Sequence, residues 1–365
     1  MQVVFRADAS LEIGTGHVMR CLTLADGLRS QGAECIFICR SHDGHLSDLI
    51  NQRGYAVRLL GINHPFVAES DVSHAAWLGA DWETDARETA QALVDLTANW
   101  LIVDHYALDS RWERYLHNYC QKLMVIDDLA DRLHDCDFLL DQNLGHTADD
   151  YLNLVPTSAL LWVGPQYALL RPEFSQLRPA SLLRRNNAEL QHLLITMGGV
   201  DKDNVTGLVL NALKSCPLPA DLKITVVMGP HAPWLDDVSS LASTMPYSSE
   251  VLVGVKDMAT LMKNSDLAIG AAGSTSWERC CLGLPAIQLV LANNQKEVAK
   301  NLEESGAVIA IDSRFDLIEQ LSKIFKKINQ MTLKNLSARA ASVCDGSAVP
   351  AICSKLNELN GMSND

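Results

Sequence analysis

The sequence predicts an α/β protein that consists of two doubly wound domains in tandem. Short apolar segments alternate with amphipathic stretches along the whole chain, and this alternation restarts near the middle. A chain of 365 residues also exceeds the usual size of one domain. Because 48% of the residues are hydrophobic and 20% are charged, the composition is that of a globular protein with a large core.

Six apolar segments predict strands in the first half, at residues 3–5, 35–39, 56–60, 100–103, 123–126 and 138–140. Helical patterns lie between most of them, for example at residues 18–29 and 82–96. Strands that alternate with helices pair in parallel and are covered on both faces, which suits segments that are apolar throughout. The first half therefore predicts a Rossmann-like domain, which we place at residues 1–175.

The second half repeats this pattern. Its predicted strands are residues 192–197, 224–228, 251–253, 267–269, 286–290 and 308–311, and its predicted helices are residues 204–214, 258–263, 275–282, 295–305 and 317–329. Between the halves, residues 170–190 contain Pro172, Pro179 and a polar run, and we place the domain boundary there. We place the second Rossmann-like domain at 190–345 and a C-terminal helix or tail at 346–365. The two domains are expected to face each other across a cleft, with ligands beyond the carboxyl ends of the strands.

Charge, hydropathy and cysteine spacing argue against a nucleic-acid-binding, secreted, membrane-spanning or zinc-binding protein. A net charge of −14 lacks the basic footprint of a nucleic-acid-binding protein. The first ten residues do not have the pattern of a signal peptide, and no run of about 18 apolar residues predicts a membrane span. The ten cysteines include no CxxC pair, so they are typical of core residues in a reducing compartment. We expect a cytoplasmic monomer that uses no metal or cofactor and binds neither nucleic acid nor membrane.

The loop after the first predicted strand contains the first candidate site. Gly14 and Gly16 flank Thr15, and His17 opens the next helix. Glycines let a backbone approach a ligand closely, and a helix N-terminus favours a phosphate or a developing oxyanion. His17 is therefore a candidate general base, the alternative being that it only caps the helix. The loop is not a dinucleotide fingerprint, because Met19 stands where the third glycine is required.

A second candidate lies at residues 270–285, after a predicted strand of the second half. Gly273 provides a flexible turn, and Ser274 or Thr275 is placed to cap the following helix. Glu278 lies one turn inside that helix, where its carboxylate could accept hydrogen bonds from two adjacent ribose hydroxyls. A capping box between Thr275 and Glu278 explains the same spacing equally well.

Three further loops lie after a predicted strand, and taken singly each is explained by an ordinary polar turn. Their polar or flexible residues are Gly198 and Gly199, then Asp104, His105 and Tyr106, and finally Asn293, Asn294 and Gln295. The two glycines could form an anion nest, and the amides could recognise a sugar. Because all five loops lie between a strand and a helix, the sequence predicts that they gather at the ligand-binding edges of the sheets.

Together these motifs resemble a known family. The segments RADASLEIGTGHVMRCLTLA, IVDHYALD, VIDDLADRLHDCDFLLDQN, GPQYALLRPEF, ITMGGVD, GAAGSTSWE and LVLANNQ are similar to those of the UDP-sugar hydrolases of pseudaminic acid biosynthesis. Those enzymes act on UDP-2,4-diacetamido-2,4,6-trideoxy-β-L-altropyranose. The likeness spans nearly the whole chain.

The resemblance implies a glycosyltransferase-B-like fold and a metal-independent reaction. It implies that His17 activates water for attack at the anomeric carbon, which releases UDP and the free sugar. Tyr106 and Asn294 would lie near the sugar and the water. The UDP of the substrate would be held by Gly273, Ser274, Thr275 and Glu278. From the loops described above, we also expect the substrate to contact Gly14, Thr15, Gly16, Gly198 and Gly199. A glycosyltransferase, an epimerase acting on UDP-sugars and a non-catalytic nucleotide-sugar-binding protein are the alternatives.

Overall fold

Both halves of the chain fold as parallel sheets covered by helices, as the computed structural model describes them for residues 1–62, 72, 74–187, 189–312 and 316–361. The chain divides into two compact units. The first comprises Met1–Leu169 and Ser347–Asp365, and the second comprises Leu170–Gly346. The predicted fold class, two doubly wound α/β domains, is confirmed.

The first unit contains a seven-stranded sheet in the order β3-β2-β1-β4-β5-β6-β7, with every pair parallel. The strands are β1 Gln2–Ala7, β2 Glu34–Arg40, β3 Ala56–Leu60, β4 Ala98–Asp104, β5 Cys120–Ile126, β6 Phe138–Asp141 and β7 Leu160–Val163. The helices are α1 Gly16–Ser30, α2 Ser47–Gln52, α3 Trp82–Leu93 and α4 Ser110–Leu116, with α13 Ala348–Gly361 returning from the chain end. All six predicted strands occur, and β7 was not predicted.

The core of the first unit lies on both faces of its sheet. Successive side chains of a strand point to opposite faces, so Val3 and Phe5 pack into one cluster and Val4 into the other. Helices α1 and α13 cover the first face, where the indole N–H of Trp100 donates to the carbonyl of Leu356 at 3.2 Å. Each fully buried large apolar side chain contributes roughly 1.5–3 kcal/mol.

The second unit contains a six-stranded parallel sheet in the order β10-β9-β8-β11-β12-β13. The strands are β8 His192–Thr196, β9 Lys223–Met228, β10 Ser248–Val253, β11 Leu267–Ala271, β12 Ala286–Val290 and β13 Ile309–Asp312. The helices are α5 Pro172–Arg184, α6 Val205–Leu213, α7 Leu235–Ser243, α8 Met258–Asn264, α9 Thr275–Cys281, α10 Lys296–Glu304, α11 Leu317–Phe325 and α12 Gln330–Ala341. The six predicted strands and the five predicted helices all occur here.

The segment in which the domain boundary was predicted is largely helical. Helix α5 begins at Pro172, where a proline costs no hydrogen bond because the first helical N–H has no partner within the helix. Pro179 lies inside the helix. Arg178 fastens α5 to the second unit by donating to the carbonyls of Cys281 at 2.6 Å and Ala341 at 2.7 Å. The first unit therefore ends at Leu169 rather than at residue 175.

The C-terminal segment is the other difference from the expected division. Residues 346–365 were expected to form a separate helix or tail, but α13 completes the first unit. Its residues Val349, Ile352 and Leu356 are buried against α1 and the sheet. A Cβ on Gly27 of α1 would lie 2.5 Å from Val349 Cγ1, so glycine is required for this close approach.

Within the described residues, none of the helices is both long and apolar enough to cross a bilayer. The same residues include no group of three or more histidine, cysteine or carboxylate side chains with the arrangement of a metal site.

Candidate functional site

Sheet topology selects two positions where ligands are expected. In the first unit β1 lies between β2 and β4, so the loops after β1 and β4 diverge to opposite sides of the sheet. In the second unit β8 lies between β9 and β11 and creates the same split. Doubly wound sheets bind ligands at such points, beyond the carboxyl ends of the strands. Four of the five loops singled out from the sequence flank these two splits.

The loop after β1 is closed on itself before α1 begins. The hydroxyl of Ser10 accepts from the N–H of Ile13 at 2.9 Å, and the N–H of Gly14 donates to the carbonyl of Ser10 at 2.9 Å. Gly14 has φ +80°, a conformation that favours glycine. Thr15 precedes the helix without a side-chain cap. As a result, the N–H groups at 16–18 donate to no acceptor within the part of the chain that the structure describes.

His17 forms a buried pair with Asp104, the last residue of β4. The side-chain atoms Nδ1 of His17 and Oδ1 of Asp104 are 2.5 Å apart, and His17 is 8% exposed. An ionised carboxylate only accepts hydrogen bonds, so Nδ1 carries the proton and Nε2 has the free lone pair. Nε2 has no hydrogen-bond partner among the described residues. The imidazole therefore has the orientation of a general base, and the helix-capping alternative is not observed.

Arg20 holds the other side of Asp104. Its Nε lies 2.6 Å from Oδ2 and its Nη2 2.7 Å from Oδ1, which is a bidentate clamp. Burial alone would raise the pKa of Asp104, but the charge of Arg20 and the bond from His17 hold it well below its ordinary value. Asp104 is thus ionised at any physiological pH, and it fixes the tautomer of His17.

Tyr106 forms one wall beside His17. Its ring meets the imidazole edge to face, with centroids 4.6 Å apart. Its hydroxyl donates to Oδ2 of Asp128 at 2.8 Å, and the same oxygen accepts from Arg20 Nη1 at 2.5 Å. Burial, followed by the charge of Asp128, raises the pKa of Tyr106 well above its usual range, so the phenol remains protonated. The ring of Trp77 lies 5.9 Å from that of Tyr106 and extends the wall.

His105 belongs to a different cluster, although it lies between Asp104 and Tyr106 in the sequence. Its Nδ1 accepts from the N–H of Ala107 at 3.1 Å, and its Nε2 faces Asp8 Oδ2 at 3.4 Å. Asp8 is held at its other oxygen by Arg6 at 2.6 Å. Because Nδ1 is an acceptor, Nε2 carries the proton and is directed into the protein rather than beside His17. His105 therefore supports the fold of this edge.

In the second unit the loop after β11 presents unpaired backbone donors. The N–H groups of Gly273, Ser274 and Thr275 donate to no acceptor within the described ranges. The side chain of Ser274 makes no capping bond. The Thr275 hydroxyl instead accepts from Arg279 Nη1 at 3.3 Å. Three successive N–H groups without acceptors suit an anion such as a phosphate.

Glu278 is not part of a capping box. Its carboxylate pairs with Arg171 at 3.6 Å, and no bond to the backbone of Thr275 is formed. Burial raises the pKa of Glu278 above its ordinary value, while Arg171 acts in the opposite direction. The equal alternative that the sequence left open is thus not observed, and the carboxylate remains a candidate acceptor for hydroxyl groups.

In the loop after β8, unlike the loop after β11, side chains of the loop itself accept hydrogen bonds from the N–H groups that begin the next helix. Asp201 accepts from the N–H groups of Val205 and Thr206 at 2.9 Å each, and Asn204 caps the same helix, so the N-terminus of α6 is filled from within. Gly198 has φ +93°. A Cβ on Gly229 would lie 2.0 Å from the carbonyl oxygen of Gly199, so the loops after β8 and β9 nearly touch. The N-terminus of α6 is therefore an ordinary strand-to-helix turn, which is the alternative that the sequence favoured over an anion nest.

The amides after β12 fall in a short 3₁₀ helix, Asn293–Gln295. Gln295 Oε1 accepts from the N–H of Leu291 at 3.0 Å, which stabilises this turn. Asn293 is exposed. The side chain of Asn294 lies outside the described part of the structure, so its predicted role near the sugar stays a prediction.

Two members of the His17 cluster were not identified from the sequence. Arg20 lies three residues after His17, a spacing that places both on one face of a helix. Asp128 follows β5 in the VIDD segment, again beyond the carboxyl end of a strand. Arg20 could have been found from its helical spacing to His17, and Asp128 from its position just after a predicted strand.

The chain is similar to known proteins in both sequence and structure. Residues 192–352 match the family model described as the glycosyltransferase family 28 C-terminal domain. An uncharacterized protein of Methanocaldococcus jannaschii is 26% identical over 81% of this chain, and the chain spans 57% of that protein's length. The UDP-2,4-diacetamido-2,4,6-trideoxy-beta-L-altropyranose hydrolase of Campylobacter jejuni is 26% identical over 84% of this chain and 97% of its own length. The resemblance stated from the motifs is thus confirmed over most of both chains.

Among solved structures, MurG of Acinetobacter baumannii has a TM-score of 0.69 at 17% identity. The match covers 98% of this chain and 99% of that one. At this level of identity the likeness concerns the fold, and it agrees with the glycosyltransferase-B-like fold that the resemblance implied.

Proposed function

We propose that this protein is a UDP-sugar hydrolase that cleaves UDP-2,4-diacetamido-2,4,6-trideoxy-β-L-altropyranose at the anomeric carbon–oxygen bond. The products are UDP and the free sugar, which serves pseudaminic acid synthesis. The likeness to the Campylobacter jejuni hydrolase, which extends over 97% of that enzyme, supports the substrate. The observation on which the reaction depends is the buried pair of His17 and Asp104.

In the proposed step, Nε2 of His17 takes a proton from a water molecule. The water oxygen forms a bond to the anomeric carbon, and the bond from that carbon to the phosphate oxygen breaks with its electron pair on UDP. Asp104 stabilises the imidazolium that forms and is itself held by Arg20. General base catalysis of this kind contributes about 10²–10⁴-fold in rate.

The leaving group needs stabilisation of negative charge rather than a strong acid, since a diphosphate is already a good leaving group. The unpaired N–H groups of Gly273, Ser274 and Thr275 support an assignment of the diphosphate to this loop. Glu278 would accept bonds from the ribose hydroxyls. In the first unit, the unpaired N–H groups that begin with Gly16 support contacts with the sugar.

A glycosyltransferase is the second candidate, and the family model matched at residues 192–352 favours it. It would pass the sugar to an acceptor hydroxyl instead of water. Incubation of the purified protein with the UDP-sugar alone separates the two, because only a hydrolase turns over without an acceptor. Phosphorus NMR should show UDP accumulating in step with the free sugar in the proton spectrum. A UDP-linked product would instead indicate an epimerase.

The role of His17 is tested by His17→Ala. Turnover should fall about 10²–10⁴-fold, because the base is lost, while UDP binding stays within about threefold. His134→Ala is the matched control, since His134 is also buried and pairs with a carboxylate, Glu113, at 2.7 Å. It should lower thermal stability without a comparable loss of turnover. If His17→Ala keeps turnover within about tenfold of the native rate, the base lies elsewhere.

A further inference from the structure

Arg279 is a buried cation close to the loop assigned to the diphosphate. It is 1% exposed, and no carboxylate among the described residues lies within 4 Å of its guanidinium. Its Nη2 donates to the carbonyl of Ala271 at 2.7 Å and to the Ser276 hydroxyl at 3.2 Å, and its Nη1 to the Thr275 hydroxyl at 3.3 Å. Its Nε has no hydrogen-bond partner there. A buried charge in this state is costly unless something neutralises it.

Arg185 shows how the same unit satisfies a buried arginine that has only a structural role. Its guanidinium donates to the carbonyls of Leu282, Ser265 and Met262 at 2.9–3.0 Å. These carbonyls belong to the C-terminal ends of α8 and α9, which carry partial negative charge. Arg279 has one carbonyl and two hydroxyls instead, and these partners belong to Ala271, Thr275 and Ser276, before or within the first turn of α9. Its guanidinium therefore has fewer carbonyl partners than that of Arg185, and its Nε has no hydrogen-bond partner among the described residues.

The glycine that opens the GAAG segment is explained by this arginine. A Cβ on Gly270 would lie 2.5 Å from Arg279 Nη1 and 2.8 Å from the carbonyl oxygen of Thr196. Any larger residue at position 270 would therefore displace the guanidinium of Arg279. The backbone of the loop and the position of Arg279 are thus fixed together.

We propose that Arg279 is the countercharge for the diphosphate of the ligand, acting from beneath the loop and also orienting Thr275. This inference rests on the proposed function, because it requires that the loop at residues 270–275 bind UDP. The guanidinium needs no direct contact with phosphate for this effect, since a charge in a poorly solvated interior acts over several ångströms. Burial lowers the pKa of Arg279 to about 10, which still leaves the group charged at neutral pH.

The test compares UDP with uridine, which lacks the phosphates. Both ligands are titrated calorimetrically into the purified full chain and into Arg279→Met, Arg279→Lys and Arg185→Met. We expect Arg279→Met to weaken UDP about 10- to 100-fold and uridine less than about threefold. Arg279→Lys keeps the charge and should lose no more than about fivefold for UDP. Arg185→Met, the matched buried arginine, should lower the melting temperature but leave the ratio of UDP to uridine affinity unchanged.

The outcomes separate the two proposals. If the native protein binds neither UDP nor uridine, the proposed function fails and this inference fails with it. If the native protein binds UDP but Arg279→Met weakens UDP and uridine by the same factor, or weakens neither, the countercharge role is wrong while the proposed function stands. Equal losses of UDP affinity in the Lys and Met variants would likewise show that charge is not the property that matters.

Discussion

Replacement of Asp104 by asparagine tests the arrangement on which the proposed reaction depends. The carboxylate of Asp104 accepts hydrogen bonds from His17 and, through both oxygens, from Arg20. An asparagine has nearly the same shape but only one acceptor atom, and its amide nitrogen is a donor. In either orientation that nitrogen faces a donor of His17 or of Arg20. If it faces the imidazole, His17 is driven to the other tautomer, in which Nε2 is protonated and cannot act as a base.

The size of the effect follows from these contacts. A hydrogen bond to a charged group contributes about 1.5–3 kcal/mol, which corresponds to roughly 10- to 150-fold if it is expressed in the transition state. The upper limit is the whole contribution of a general base, about 10²–10⁴-fold. We therefore expect kcat to fall about 10²–10³-fold. Arg20 retains Asp128 as a partner, so the loss of stability should be on the order of 3 kcal/mol.

The assay is steady-state release of UDP, from which kcat and KM are obtained separately, together with thermal unfolding of each variant. Asp85→Asn is the matched control. Asp85 is also a fully buried carboxylate, and it is held between Arg6 and Arg40 at 2.6 and 2.7 Å. It does not contact His17. Asp85→Asn should lower the melting temperature by a similar amount and keep kcat within about threefold of native.

Two results would refute this reasoning. If Asp104→Asn is folded and keeps kcat within about tenfold of native, the carboxylate does not set the tautomer of His17. If Asp85→Asn loses as much kcat as Asp104→Asn, the loss reports general damage to the unit rather than the missing acceptor.

Three further variants test other parts of the structure. Tyr106→Phe removes the hydroxyl bonded to Asp128 but keeps the ring beside the imidazole, so kcat should fall only about 3- to 10-fold in the UDP-release assay. Glu278→Gln should weaken binding of uridine about tenfold but that of 2′,3′-dideoxyuridine hardly at all, as calorimetry would show. Burial raises the pKa of Asp141 to about 6 despite its bond from His146. The protonated form is therefore favoured in the fold, and its stabilising contribution is complete below about pH 4 and lost as the pH rises through 6. Asp141→Asn should reduce the decline in unfolding free energy between pH 5 and 8 by about 1.4 kcal/mol in urea titrations, since about one pKa unit of the stabilisation remains at pH 5, and an unchanged slope would contradict this assignment.

The strands were predictable because parallel sheets bury both faces, which leaves continuous apolar segments in the sequence. Strand β7 was missed because it is four residues long and only half-buried. Helix α5 was not predicted, because Pro172 and Pro179 were taken to indicate a domain boundary. The first proline suits a helix start, and the arginines of this segment fasten it to the second unit, a contact with residues far away in the sequence.

The candidate site was predictable in its positions but not in its pairings. His17 was identified from its place at a helix start after a strand. Its bond to Asp104 joins residues 87 positions apart and depends on β4 being the neighbour of β1. The buried state of Arg279 could not be read from local spacing either, because it depends on the carbonyl of Ala271 and on the missing side chain at Gly270. The local sequence pattern thus predicts that His17 lies in a loop at the edge of the sheet. Its partner Asp104 depends on the order of the strands in that sheet, which the local pattern does not contain.

The return of α13 to the first unit affects how this chain acquires its structure during synthesis. When residue 169 leaves the ribosome, Gly27 of α1 and Trp100 of β4 still lack helix α13, which packs against them. This part of the core stays uncovered until the whole second unit and about fifteen more residues have been translated. No single cut between the units separates them into two complete folding domains. A fragment that is meant to fold alone as the first unit has to be built from two distant stretches, joined so that Val349 can reach Gly27.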